Sequence, residues 1–197
     1  MKPVGFDTTI LSVLLNPNGK LPLDPATGQP VILAKKRAEN LVEALGKSRE
    51  KIVLPTPAAA ELLTAIGPDA QQYMAIIGRS RLFELASFDA RCAIELACLN
   101  RDVFSTQDPK SGMEPYQKVK IDRQIIAILK VAGVETVYTD DGGFARRARL
   151  CGMIPVSIAE LALPTEDRQI QLVFDAPDEI PEPEPEPGSS PSEEPEA

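Results

Sequence analysis

Five short apolar runs, PVGFD (3–7), KIVLP (51–55), RLFELA (81–86), VETVYT (134–139) and GMIPVS (152–157), recur along this chain, four of them rich in valine or isoleucine. Between them lie segments with helical spacing: TILSVLL, ILAKKRAENLVEAL, PAAAELLTAI, DAQQYMAII, DARCAIELACLNRDV and RQIIAILKVAG. Strand–helix alternation of this kind predicts an α/β domain built on a mainly parallel central sheet. In such sheets ligands sit outside the carboxyl ends of the strands, so the residues that close each run are the first place to look for chemistry.

The composition removes several kinds of chemistry. The chain has no histidine, which excludes Ser-His-Asp and Cys-His nucleophile systems, histidine-paired RNA hydrolysis and histidine-ligated zinc or iron. Cys92, Cys98 and Cys151 form no close pair or ligand-like cluster, and read as small buried thiols. Hydrolytic chemistry here has to rest on carboxylates, lysines, hydroxyls or a metal held by oxygen. No stretch approaches the roughly 18 apolar residues of a membrane span, and no cleavable signal opens the chain; a soluble cytoplasmic protein is expected.

The net charge of −8 is unevenly distributed. Eleven acidic residues and one arginine follow Thr165, leaving 18 acids against 20 bases in the rest. The segment EIPEPEPEPGSSPSEEPEA alternates proline with glutamate and carries almost no apolar residues, the composition of a disordered tail. The expected organisation is a domain over 1–164 and an acidic Pro/Glu-rich tail over 165–197. Two loops are expected inside the domain, NPNGKLPLDPATGQP (16–30) and STQDPKSGMEPYQKVK (105–120).

Four carboxylate positions stand out. Asp7 closes the first run. Glu61 lies on an early turn of the helix after the second. Asp122 is expected to open a long helix, and Asp140 and Asp141 close the fourth run before Gly142 and Gly143 turn the chain into FARRARL. Each has an ordinary alternative, as a helix cap or a solvated, dipole-favoured acid. The adjacent pair is harder to explain that way: two neighbouring charges repel, and only one can cap. If the strand continues to residue 141, Thr139 and Asp141 share one face while Tyr138 and Asp140 share the other. Asp140 would then point away, to cap the glycine turn or meet Arg146 or Arg147, although the glycines leave either acid free to turn inward.

Taken together, GFDTTIL with Asp7, LPTPAAAELL with Glu61, KIDRQIIAI with Asp122 and VYTDDGGFARRA with Asp141 resemble the PIN domain family, including the ribonuclease toxins of VapC type. The resemblance spans residues 3 to about 160. It implies a three-layer fold with a mainly parallel sheet flanked by helices, and a catalytic quartet of Asp7, Glu61, Asp122 and Asp141. Asp7, Asp122 and Asp141 would be the metal ligands for Mg²⁺ or Mn²⁺, the cations that oxygen donors suit. The implied reaction is endonucleolytic hydrolysis of RNA leaving a 5′-phosphate. The long 16–30 loop and the tail depart from the compact toxins.

Thr9 and Thr139 are expected to support the ligands by hydrogen bonds. Lys118, Lys120, Arg123 and the run Arg146, Arg147 and Arg149 are candidates for the nucleic-acid backbone, and Glu95 is a further acid to place. RNA is the expected substrate, with an antitoxin-like protein and a second copy of the chain as partners to consider. The competing reading is a PIN-fold binding or scaffold module without nuclease activity. A haloacid dehalogenase-type phosphatase would need a second acid two residues after Asp7, where this chain has Thr9.

Overall fold

A computed structural model describes residues 2–16, 19–107 and 114–164. The tail call, 165–197, lies outside the described residues. Each apolar run forms a strand: β1 (Val4–Phe6), β2 (Ile52–Pro55), β3 (Phe83–Ala86), β4 (Thr136–Tyr138) and β5 (Ile154–Val156). The strands form one sheet of order β3-β2-β1-β4-β5, and all four pairings are parallel. The expected α/β class is therefore the observed one.

Successive residues of a strand point to opposite faces, so burial of every residue in β1 and β2 means that both faces of the sheet centre are covered. The helices are α1 (Thr8–Leu15), α2 (Ala34–Ser48), α3 (Thr56–Ile66), α4 (Ala70–Arg79), α5 (Ala90–Leu99), α6 (Ser105–Gln107), α7 (Tyr116–Val131) and α8 (Gly142–Leu150). A π-helical turn, Asn100–Phe104, joins α5 to α6. The edge strands are less protected, with Leu85 of β3 and Ile154 of β5 exposed.

Strand order reverses at β1, which has β2 on one side and β4 on the other. This is the position at which open parallel sheets leave a crevice at their carboxyl ends. The β1–β4 register, Val4 opposite Thr136 and Phe6 opposite Tyr138, brings the residues after both strands to the same edge. Gly5 allows α7 to pack closely, since a Cβ there would meet Leu129 Cδ2 at 2.7 Å and Val134 Cγ1 at 3.2 Å. A crossover helix runs back along the strands it connects, so the first turns of α7 lie at the carboxyl edge.

Three local expectations need correction. The 105–120 segment is not wholly loop: it includes α6, and α7 begins at Tyr116 directly after Pro115, a residue suited to a helix start. Asp122 is therefore inside α7 rather than at its opening, and Lys118 and Lys120 are helical. Strand β4 also ends at Tyr138, three residues before Asp141, because Asp141 is recruited as the N-cap of α8. Among the described residues of the 16–30 segment, 16 and 19–30, there is no helix, only turns and an isolated antiparallel bridge between Leu23 and Pro30.

Candidate active site

Asp7 follows β1 at the N-cap position of α1 but makes no side-chain cap bond. Its carboxylate is buried and turned toward β4, accepting from Thr139 Oγ1 at 2.8 Å and from Thr9 Oγ1 at 3.4 Å. The two threonines also fix the chain after β4: the Asp140 amide donates to Thr9 Oγ1 at 2.9 Å, and the Asp141 amide to Thr139 Oγ1 at 3.1 Å. One hydroxyl thus ties Asp7 to the backbone that presents Asp141.

Asp141 uses its two oxygens differently. Oδ1 accepts from the Phe144 amide at 2.9 Å and caps α8, while Oδ2 lies 2.5 Å from Lys118 Nζ. Burial favours its neutral form, but the Lys118 ammonium and the Phe144 amide outweigh that and hold the carboxyl below the ordinary aspartate range. Its neighbour Asp140 accepts from the Ile158 amide at 3.0 Å. It pins the turn after β5 instead of meeting the glycines or an arginine.

Asp122 is buried on α7, and Arg147 of α8 donates to its Oδ2 at 2.7 Å. Burial pushes the Asp122 carboxyl up to about 7; the charges of Asp141 and Asp7 add to the rise, while Arg147 and Lys118 oppose it. Asp7 behaves alike, raised to about 6 by burial and further by Asp141 and Glu61, against the lowering effect of the Thr139 hydroxyl. Glu61 is more exposed, and Thr8 Oγ1 donates to its Oε2 at 2.7 Å. The four sequence-selected acids therefore occupy one electrostatic neighbourhood, with Asp7 sensing both Asp141 and Glu61.

The basic candidates divide. Lys118 belongs to the acid cluster, and Lys120 is exposed. Arg123 lies over the Phe104 ring at 4.5 Å and donates to Asn100 Oδ1 at 3.2 Å. Arg146 is exposed, 3.9 Å from Glu114. Arg147 is not a surface contact: it is buried and bonded to both Asp122 and Glu114. Glu95 lies elsewhere, 3.9 Å from Lys130.

Two participants, Glu114 and Thr8, and the buried placement of Arg147 escaped the sequence reading. Glu114 was hidden in a segment taken for loop; its spacing four residues before Lys118 was the available signal, and the two lie 3.9 Å apart. Thr8 was overlooked beside Asp7. The burial of Arg147 has no local signature, because ARRAR reads as a charged face.

Three solved structures are similar to this chain. They are DNA-bound VapBC from Salmonella typhimurium (14% identity, 80% of this chain and 99% of that one, TM-score 0.48), VapBC2 from Rickettsia felis bound to a DNA fragment from its promoter (18%, 78% and 97%, 0.49), and VapC20 from Mycobacterium tuberculosis, described as a Sarcin-Ricin loop cleaving toxin (16%, 72% and 92%, 0.46). No family model matches the sequence, and no curated protein matches it.

The donor set has the chemistry of a hard divalent cation site: oxygen ligands only, with like charges that raise one another's proton affinity. As the side chains are placed, however, no three acidic or cysteine side chains among the described residues are gathered closely enough to hold an ion. Lys118 and Arg147 supply the compensating charge.

Proposed function

We propose that this protein is a metal-dependent endoribonuclease that hydrolyses RNA phosphodiester bonds at the edge where Asp7, Glu61, Asp122 and Asp141 meet. The supporting observation is the pair of buried carboxyls, Asp7 and Asp122, pushed up to about 6 and about 7 by burial and by neighbouring acids. Buried like charges at a sheet's switch point are costly for a structural purpose alone and are characteristic of functional sites. The absence of histidine and the PIN-like acidic pattern point to the same reaction.

Asp7, Asp122 and Asp141 would hold Mg²⁺ or Mn²⁺. Such a cation lowers the pKa of bound water and stabilises charge on the phosphate. The chain's own part is orientation. Thr139 and Thr9 fix the Asp7 carboxylate, the Phe144 amide fixes Asp141, and Arg147 fixes Asp122. Thr8 holds Glu61 beside them. Lys118, 2.5 Å from Asp141, is placed to meet an incoming phosphate. A toxin role with an antitoxin-type protein partner follows from the resemblance alone and belongs to this proposal.

A binding module without nuclease activity is the second reading, and internal neutralisation by Lys118 and Arg147 favours it. Two measurements separate them: calorimetric titration with Mn²⁺, and cleavage of single-stranded RNA by wild type and Asp7→Asn. The nuclease reading expects Mn²⁺ binding and Mn²⁺-dependent cleavage, both lost in a folded Asp7→Asn protein. Full cleavage by that variant, or no Mn²⁺ binding by wild type, overturns it.

A further inference from the structure

A depression of about 460 Å³ opens directly beside the acids, with Thr139 and Asp141 forming part of its lining. Residues 23–26 contribute Leu23 and Pro25 to its lining, and α8 and β5 contribute Arg149 and Pro155. The loop segment is built to hold its shape. The Asp24 amide donates to the Gln29 carbonyl at 2.8 Å, the Gly28 amide to the Asp24 carbonyl at 2.8 Å, and the Val31 amide to the Pro22 carbonyl at 2.9 Å. Gly28 turns at φ 69°, which glycine adopts without strain, and Asp24 Oδ1 accepts from the Ala26 amide at 2.8 Å.

The volume lies in the range of small-ligand sites. Leu23, whose backbone is held by its bridge to Pro30, keeps a side chain 58% exposed in the lining of the depression. Arg149 lines the same depression, is exposed and has no ion-pair partner among the described residues. Apolar side chains and a planar guanidinium lining one depression suit a flat aromatic ring, on which either can stack. Asp24 and Glu160 also line the depression, and their charges disfavour a phosphate there. The occupant with an aromatic face, no negative charge of its own and a covalent link to a phosphate at Asp141 is an RNA base.

We infer that residues 23–26 and Arg149 form a pocket for one unpaired base of the RNA strand, the base adjoining the phosphate held at the acid cluster. The inference rests on the nuclease reading and adds to it a base-recognition subsite: a splayed base next to the cleaved bond. The pocket sets binding and selectivity, while the carboxylates do the chemistry.

The test uses the full chain and fluorescein-labelled single-stranded RNAs in Ca²⁺, each carrying an abasic nucleotide at one position, with affinity read by fluorescence anisotropy. In wild type, one abasic position adjoining the mapped cleavage bond should weaken binding about tenfold or more, the scale of a lost base-stacking contact. In Leu23→Ser/Arg149→Gln, two exposed replacements that leave the circular dichroism spectrum unchanged, that penalty should collapse to below about twofold. The pocket is overturned, with the nuclease reading intact, if wild type cleaves RNA in Mn²⁺ but every abasic RNA binds like the unmodified one. It is also overturned if the penalty persists in the folded double variant. Failure of wild type to bind any of the RNAs overturns both readings together.

Discussion

Arg147, 1% exposed, donates through Nη1 to Asp122 Oδ2 at 2.7 Å and through Nη2 to Glu114. A guanidinium sequestered this completely serves as a fixed counter-charge for the acid that burial and its neighbours push hardest toward neutrality. Removing it should leave a buried carboxylate uncompensated. Arg147→Met is expected to lower unfolding free energy by about 3–5 kcal/mol, measured by urea denaturation, and Asp122→Asn in that background should recover part of the loss. An unchanged denaturation midpoint in Arg147→Met would contradict this role.

Two adjacent glycines should respond oppositely to the same change. A Cβ on Gly143 would lie 3.1 Å from Glu114 Cδ and 3.2 Å from Arg147 Nη1, whereas one on Gly142 meets nothing within 4 Å. Gly143→Ala should cost about 1–3 kcal/mol by overpacking the ion chain. Gly142→Ala should be neutral or stabilise by about 0.5–1 kcal/mol through reduced backbone freedom in the unfolded chain. Thermal denaturation of both variants decides the contrast.

Without metal, the melting temperature should fall as pH rises from about 5 to 8. Asp7 and Asp122 bind protons more tightly folded than unfolded, with carboxyls raised to about 6 and about 7. The stability they contribute is complete below the unfolded aspartate value and is lost as pH climbs through those two values. Asp141 is shifted the other way; its contribution is lost only as pH falls through its depressed value, below this window. Asp7→Asn should flatten the decline. Adding excess Mn²⁺ at pH 8 should raise the melting temperature, because a cation that binds only the folded state stabilises it. A melting temperature that climbs between pH 5 and 8 in EDTA would reverse the assignment.

The neighbouring aspartates should separate by function. Asp141 reaches Lys118 while Asp140 is spent on the Ile158 amide. Asp141→Asn is expected to reduce RNA cleavage by at least about a hundredfold, the scale on which one preorganised electrostatic contact acts. Asp140→Asn should reduce it only a few-fold. Cleavage rates and Mn²⁺ affinities of the two purified variants provide the comparison, and a larger loss at Asp140 would move the ligand assignment to that residue.

The sheet was legible because valine and isoleucine runs are local signals, and the acids at strand ends were legible because topology says where strands point. What stayed hidden depended on contacts distant in sequence. Asp122 looked like a helix opener because the turn-forming residues before it masked the start of α7 after Pro115. Alternation would orient Asp141 only if the strand continued to residue 141, but β4 stops at Tyr138; the orientation of Asp141 comes instead from capping α8 and from Lys118. Arg147 could not be distinguished from Arg146 without knowing that α8 lies against α7, since one faces solvent and the other Asp122.

The pairing of β1 with β4 joins residues 4–6 to residues 136–138, stretches far apart in the chain. Asp7 leaves the ribosome before its hydrogen-bonding partner Thr139 and its neighbour Asp141, which follow more than 130 residues later. At about 5–20 residues per second, that separation is a delay of several seconds or more during synthesis. A nascent chain therefore carries the first acid with no assembled centre around it, and a truncated product lacking β4 has none at all. Translation itself acts as the timer on this site: the acids meet only once nearly the whole domain has been made.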